Sequence, residues 1–165
     1  MILLVNKETN VRRLSDAIKA NLSEKLEITS KGHLADSQKI KAIAAVTTQQ
    51  TKPLCFLSVD KKVIGKKDSR EITIRSTTLF FQDVIPKPKK QYRLLAVMTD
   101  DQFKKTVNNL STDEPILLTA MGSRAVSIAE DVIMKTGRKA TVKFIEVIGE
   151  NDNMPVKALE FVTWK

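Results

Sequence analysis

The feature that most constrains this 165-residue sequence is an order of strand and helix patterns that occurs twice. Apolar or alternating runs predict strands at residues 2–5, 26–30, 54–59 and 71–77, and again at 94–98, 116–119, 141–148 and 156–164. Helical apolar faces follow Thr9 or Asn10, Gly32, Asp100 or Asp101, and Gly122. The sequence therefore predicts an α+β fold with the order β-α-β-α-β-β in each half.

The two halves also match residue by residue. Residues 28–32 align with residues 118–122 at an offset of 90 positions, and the same offset places Ser37 over Ser127. Internal duplication explains this match, although two amphipathic patterns could also converge by chance. We expect a basic unit over residues 1–81, a connector with two prolines over 82–91, and a neutral unit over 92–165.

The positive charge of the chain lies entirely in its first half. Residues 1–92 contain 18 Lys and Arg against 9 Asp and Glu, whereas residues 93–165 contain 10 of each. An asymmetry of this kind indicates a polyanionic partner for the first half and a different task for the second. The alternative is a basic protein whose charge serves solubility alone.

Few residues suit catalysis or metal binding. The only cysteine, Cys55, lies in an apolar run, which predicts a buried thiol, and the only histidine, His33, has no nucleophile motif beside it. Phosphate-cradling glycine motifs and metal-ligand spacings are absent from the sequence. We therefore expect a protein that is not an enzyme and has no cofactor or metal. Without a long apolar run or a secretory leader, we expect it in the cytoplasm, with no membrane partner, on the nucleoid or a ribonucleoprotein.

Residues 115–132, PILLTAMGSRAVSIAEDV, resemble the strand, glycine turn and Ala-rich helix of the Alba superfamily. The first half, with VNKETNVRRLSDAIKANL and KLEITSKGHLADSQKIKAIAAV, is similar to the stage V sporulation protein S branch of that superfamily. This resemblance implies two Alba-like units in tandem, each a small sheet with two helices on one face. It further implies binding to DNA or RNA without chemistry, by a chain that forms a pseudo-dimer alone or a homodimer.

The resemblance places nucleic-acid contacts before the first helix, at the glycine turn before the second helix and on the last hairpin of each unit. In the first unit these places hold Lys7, Arg12, Arg13, Lys31, Gly32, Lys61, Lys62, Lys66, Lys67 and Arg70. In the second unit they hold Gly122 and Arg124, while acidic residues, among them Glu150 and Asp152, occupy the other places.

The chemistry of phosphate binding also favours these positions as contacts for a nucleic acid. A lysine-rich hairpin, with Gly65 expected near its tip, neutralises phosphates and releases counterions, and Lys87, Lys89 and Lys90 in the connector form a second basic cluster. Gly32 and Gly122 precede helices whose N–H groups favour anions. Each feature also has a purely structural explanation, as a solvated loop or a tight turn.

Most of the aromatic residues lie in or beside predicted strands, which favours a core role over base stacking; they are Phe56, Phe80, Phe81, Phe144, Phe161 and Trp164. Duplex DNA or structured RNA, bound by shape and phosphate, is therefore the expected partner, and the sequence does not distinguish DNA from RNA. The alternative is a protein-interaction module that docks on a larger assembly through its second unit.

Overall fold

The computed structural model describes residues 1–23, 25–68, 70–148 and 155–165, without the side chains of residues 60, 61, 67 and 70. Its fold is α+β, with one mixed sheet and four helices. The first six elements are β1 (Ile2–Val5), α1 (Val11–Ala20), β2 (Glu27–Lys31), α2 (His33–Thr47), β3 (Leu54–Lys67) and β4 (Arg70–Phe81). The next six are β5 (Lys90–Leu94), α3 (Asp100–Leu110), β6 (Ile116–Ala120), α4 (Ser123–Lys135), β7 (Lys139–Ile148) and β8 (Pro155–Trp164). The predicted repeat of element order is confirmed.

The described strands form one continuous sheet rather than two separate ones, in the order β1-β2-β4-β3-β7-β8-β6-β5. β1 pairs with β2, and β5 with β6, in parallel, while the remaining pairs are antiparallel. The two halves meet where β3 pairs with β7, with Cys55 opposite Thr141 and Phe56 opposite Ala140. We call this contact the seam.

The four helices form one layer over the sheet, in the order α1-α2-α4-α3. The central helices cross the seam, because α2 packs on β7 and α4 packs on β3. Beneath them, the rings of Phe56 and Phe161 meet edge to face with centroids 6.3 Å apart. A single apolar core therefore extends through both halves, and its burial stabilises them together.

Two helix starts illustrate how local sequence sets the boundaries. Asn10 caps α1 as expected, since its side chain accepts a hydrogen bond from the Arg13 N–H at 3.1 Å. The expected cap of α3 at Asp100 or Asp101 is wrong. Thr99 is the cap, and it forms a capping box with Gln102.

The fifth strand begins earlier than the sequence indicates. The apolar run at 94–98 suggested a strand there, but β5 covers Lys90–Leu94 and pairs in parallel with β6. In that register Tyr92 and Leu94 face the core, whereas Leu95 and Val97 lie beyond the strand and are 50% and 76% exposed. The position of β5 is therefore set by its pairing with β6 and by the alternation of core-facing residues, and not by the run of apolar residues at 94–98.

Gly65 lies near the tip of the first hairpin, as expected, but it does not form the turn. It pairs with Ile72 inside the β3–β4 ladder, beside a register shift that follows Val63. The positive φ of 52° at Asp68 marks the reversal of the chain instead. The two strands therefore continue beyond Gly65 as a longer ribbon, and Gly65 accompanies a bulge.

Candidate nucleic-acid interface

The two glycine turns have almost the same backbone geometry. Gly32 has φ 85° and ψ 166°, and Gly122 has φ 84° and ψ 159°, a region that only glycine enters readily. Each glycine is the N-cap of a long helix, α2 or α4, and no described side chain forms a capping hydrogen bond with either helix. Backbone N–H groups at both helix starts therefore remain available to an anion.

Around Gly32 the fold assembles cations from separate parts of the sequence. A cleft of about 410 Å³ is lined by Lys7 from the loop after β1, Lys31 and Gly32 from the turn, and Ile72 from β4. A neighbouring cleft of about 670 Å³ shares Lys7, Gly32 and His33 and extends along the base of the hairpin. We call these two joined spaces the basic cleft.

The hairpin is anchored at the basic cleft. The Gly32 N–H donates to the Thr73 carbonyl at 2.9 Å, and Lys31 pairs with Ile74 at the end of β2. Beyond this pair β3 and β4 continue together, without β2, to Lys67 and Arg70. Exposed Lys66 lies on this projecting part, and exposed Lys62 lies at its base, opposite Ile74. The side chains of three further expected contacts lie outside the described ones, namely Lys61, Lys67 and Arg70.

Arg124 of the second half also approaches this region. A cleft of about 550 Å³ is lined by Arg124, by His33 at the start of α2, and by Glu71 of the hairpin. The expected contact of the second unit thus lies beside the turn of the first. Acidic side chains are present as well. Glu8, Asp68 and Glu71 line the basic cleft, and Glu71 also lines the cleft beside Arg124.

Other expected contacts lie elsewhere on the molecule. Arg12 and Arg13 are exposed on the first turn of α1. The connector lysines Lys87, Lys89 and Lys90 are exposed near the start of β5, where Lys90 forms an ion pair of 3.4 Å with Glu114. This place is at the opposite end of β6 from Gly122. Glu150 and Asp152 lie outside the described residues.

A buried charged network crosses the seam, and sequence reasoning missed it. Lys39 of α2 is fully buried, with its Nζ 2.7 Å from Glu130 Oε1 of α4. Arg75 of β4 donates to Asp36 of α2 and, at 2.8 Å, to Asp131 of α4. Asp36, Lys39 and Glu130 sit at core positions of helices, among buried apolar residues. A charged residue at a position where the helical pattern places the core was the sequence feature that could have revealed this network.

Burial and neighbours set the protonation of this network. Burial raises the pKa of Glu130 to about 7, although Lys39 pulls in the opposite direction. Burial alone would lower the pKa of Arg75, but Asp36 and Asp131 outweigh it and raise that pKa. The Oε2 atom of Glu130 has no hydrogen-bond partner in the described part of the chain. These groups join the two halves. Lys39 and Glu130 are fully buried, whereas Arg75 also lines the basic cleft.

The remaining candidate groups are structural. The predicted burial of Cys55 is confirmed, and this burial raises the pKa of its thiol to about 12. Among the residues described, no three His, Cys, Asp or Glu side chains form a group that could hold a metal ion. Within the same ranges no helix has the length and apolarity needed to cross a lipid bilayer.

Comparison with protein-family models gives no match to this chain, and comparison with curated protein sequences gives no significant match.

Proposed function

We propose that this chain binds duplex DNA or structured RNA through phosphate contacts, without catalysis. One observation carries the proposal: exposed Lys7 and Lys31, from separate segments, lie around the Gly32 turn, with Arg124 of the other half nearby. The basic hairpin projects from the same place. We also infer that the halves are two Alba-like units, which the repeated element order supports.

The chemistry of phosphate binding supports this proposal. Lysines neutralise phosphates and release condensed counterions, which supplies affinity without sequence reading. The free N–H groups at the start of α2 add directed hydrogen bonds to a phosphate oxygen. Glu8, Asp68 and Glu71 repel phosphates, so they restrict where a nucleic-acid backbone can approach and favour one orientation along the hairpin.

A second function has one specific observation in its favour. Leu95 and Val97 follow β5 in the neutral half and are 50% and 76% exposed. Exposed apolar residues close together are typical of protein-interaction sites. A module that docks on a protein assembly through this loop is therefore the alternative, and it requires no nucleic acid.

The test is a binding assay at low salt with duplex DNA, single-stranded DNA and a structured RNA. We expect Lys7→Gln with Lys31→Gln to weaken binding of the duplex or the structured RNA by about tenfold, because two phosphate contacts are lost. The matched control removes the same charge from exposed α3 positions, Lys104→Gln with Lys105→Gln. Equal effects of the two pairs would contradict a site at the basic cleft.

A further inference from the structure

The buried network and one cavity occupy equivalent places in the two halves. In the first half, Arg75 of β4 pairs with Ser30 of β2, and its side chain reaches the carboxylates of Asp36 and Asp131. The 90-position offset and the pairing of Ala120 with Leu159 identify the equivalent place in the second half. There Leu159 replaces the arginine.

The residues around this place in the second half differ in chemistry from their counterparts in the first half. Where the first half has Ser30 and Asp36, the second has Ala120 and Val126 at the same offset. Where α4 contributes Asp131 to the first place, α2 contributes Lys41 to the second, so the sign of the charge is reversed. No arginine fills the space.

The result is an open cavity of about 390 Å³, within the range of about 300–1,000 Å³ typical of small-molecule sites. Val126, Leu159 and Phe144 give it an apolar wall, and the Phe144 ring is 39% exposed. Lys41 and Lys157 line it, and neither forms an ion pair with any described residue. We call it the Phe144 cavity.

A buried hydroxyl in the Phe144 cavity lacks the partner that its counterpart has. Ser127 donates to Asp36 Oδ2 at 3.3 Å in the first half. The equivalent Ser37 is 3% exposed and lines the cavity, yet its hydroxyl has no hydrogen-bond partner in the described ranges. An unpartnered buried hydroxyl is costly, and here the second half has Val126 where the first half has the carboxylate that accepts the hydrogen bond.

The start of α4 supplies further donors at the same cavity. Gly122 lines the cavity and begins a helix that no side chain caps. In the first half the Gly32 N–H is bonded to the Thr73 carbonyl, but no such bond joins Gly122 to Lys157 among the described residues. Helix N–H groups, a hydroxyl and two lysines together match the oxygens of a phosphate, and the apolar wall matches a larger body.

We propose that the Phe144 cavity binds a nucleoside 5′-monophosphate, with its phosphate at the start of α4 and its base against Phe144. The phosphate lies beside Val126 and Leu159, in the space that the Arg75 side chain fills in the first half. Ser37 donates to it, and Lys41 and Lys157 neutralise it. This site does not rest on nucleic-acid binding at the basic cleft, since a free nucleotide contains all the groups it recognises.

The test uses adenosine 5′-monophosphate with the full chain in isothermal titration calorimetry. We expect saturable binding, and at least about tenfold weaker binding of both adenosine and inorganic phosphate, because each lacks half of the recognised groups. Lys41→Gln with Lys157→Gln should also weaken binding by about tenfold. A 5′-phosphorylated oligonucleotide, compared with its 5′-hydroxyl form, shows whether strand ends use the same site.

The two equivalent serines give a matched control. Ser37→Ala removes an unpartnered hydroxyl, so the thermal midpoint should hold or rise while nucleotide affinity falls about fivefold to tenfold. Ser127→Ala removes a partnered hydroxyl, so the midpoint should fall while nucleotide affinity stays unchanged. Absence of saturable nucleotide binding at millimolar concentration, or equal loss of affinity in both variants, would overturn the proposal.

Discussion

Glu130 is a fully buried carboxyl group whose two oxygen atoms have different environments. One of its oxygens accepts hydrogen bonds from Lys39, Ser58 and Thr77, the hydroxyls at 3.3 and 3.2 Å, while the other has no partner in the described residues. Burial therefore favours the protonated carboxyl, and its pKa rises from 4.5 to about 7. The protonation of this single group affects how tightly the halves are joined.

Glu130→Gln should remove a pH dependence from the unfolding free energy. Between about pH 4.5 and 7 the folded chain binds the proton that the unfolded chain has released, so rising pH destabilises the fold. The stabilisation is complete below this interval and lost above it, at about 1.4 kcal/mol per pKa unit. From pH 4.5 to about pH 8, the stability of the variant relative to the parent should increase by up to about 3 kcal/mol.

Urea unfolding at several pH values measures this difference. Glu146→Gln, at an exposed position of β7, is the control and should follow the parent at each pH. A constant difference between Glu130→Gln and the parent across the whole interval would contradict the argument.

Single residues were predictable from the sequence only where local chemistry decides their environment. Asn10 is the cap of α1 and Cys55 is buried, as expected from the neighbouring residues alone. Lys39 and Asp36 were not recognised as buried, because their partners Arg75 and Glu130 come from distant segments. A charge at a core position is tolerated only when the fold supplies the opposite charge, and one sequence does not reveal that pairing.

At the scale of elements, the strand-to-helix turns before α2 and α4 depend on glycine. A Cβ atom at Gly32 or Gly122 would meet no atom within 4 Å, so space does not impose glycine at either turn. Their φ of 85° and 84° imposes it, because other residues rarely adopt this backbone region. The turns can thus present bare backbone to a ligand while fixing the direction of each helix.

Gly32→Ala and Gly122→Ala should each lower the unfolding free energy by about 1–3 kcal/mol, the cost of holding alanine in this backbone region. Gly65→Ala is the matched control, since Gly65 has no positive φ and open space around it. We expect it to change stability by less than about 1 kcal/mol. Chemical denaturation measures all three, and equal effects would show that backbone conformation is not the reason for glycine.

Elements were predictable as far as their own pattern determines them. The four helices lie where apolar spacing placed them, but β5 begins at Lys90 and the chain reversal of the first hairpin lies at Asp68. Pairing with β6 determines where β5 begins, and a bulge beside Gly65 accompanies the longer first hairpin. Sequence periodicity contains neither cross-strand register nor bulges.

For the whole molecule, the halves are equivalent in order and different in charge. The repeat predicted the element order, whereas the seam was not predictable. Among the described residues it consists of two pairs, Cys55 with Thr141 and Phe56 with Ala140, and so short a pairing leaves no pattern in the sequence. Packing of α2 and α4 across the seam places Arg124 beside the basic cleft of the other half. One continuous sheet therefore presents both glycine turns, while only one half carries the excess charge.

The salt dependence of duplex DNA binding tests nucleic-acid binding most directly. For the full chain, we expect the logarithm of the association constant to fall linearly with the logarithm of salt concentration. Lys62→Gln with Lys66→Gln, at the base and on the projecting part of the hairpin, should reduce that slope by about 2, at about 0.9 per phosphate contact.

Lys104→Gln with Lys105→Gln removes the same charge from α3 and should leave the slope unchanged. A slope reduced by the hairpin pair alone is the result that our account predicts. Absence of binding to both duplex DNA and structured RNA at low salt, or equal slopes for the two pairs, would contradict it.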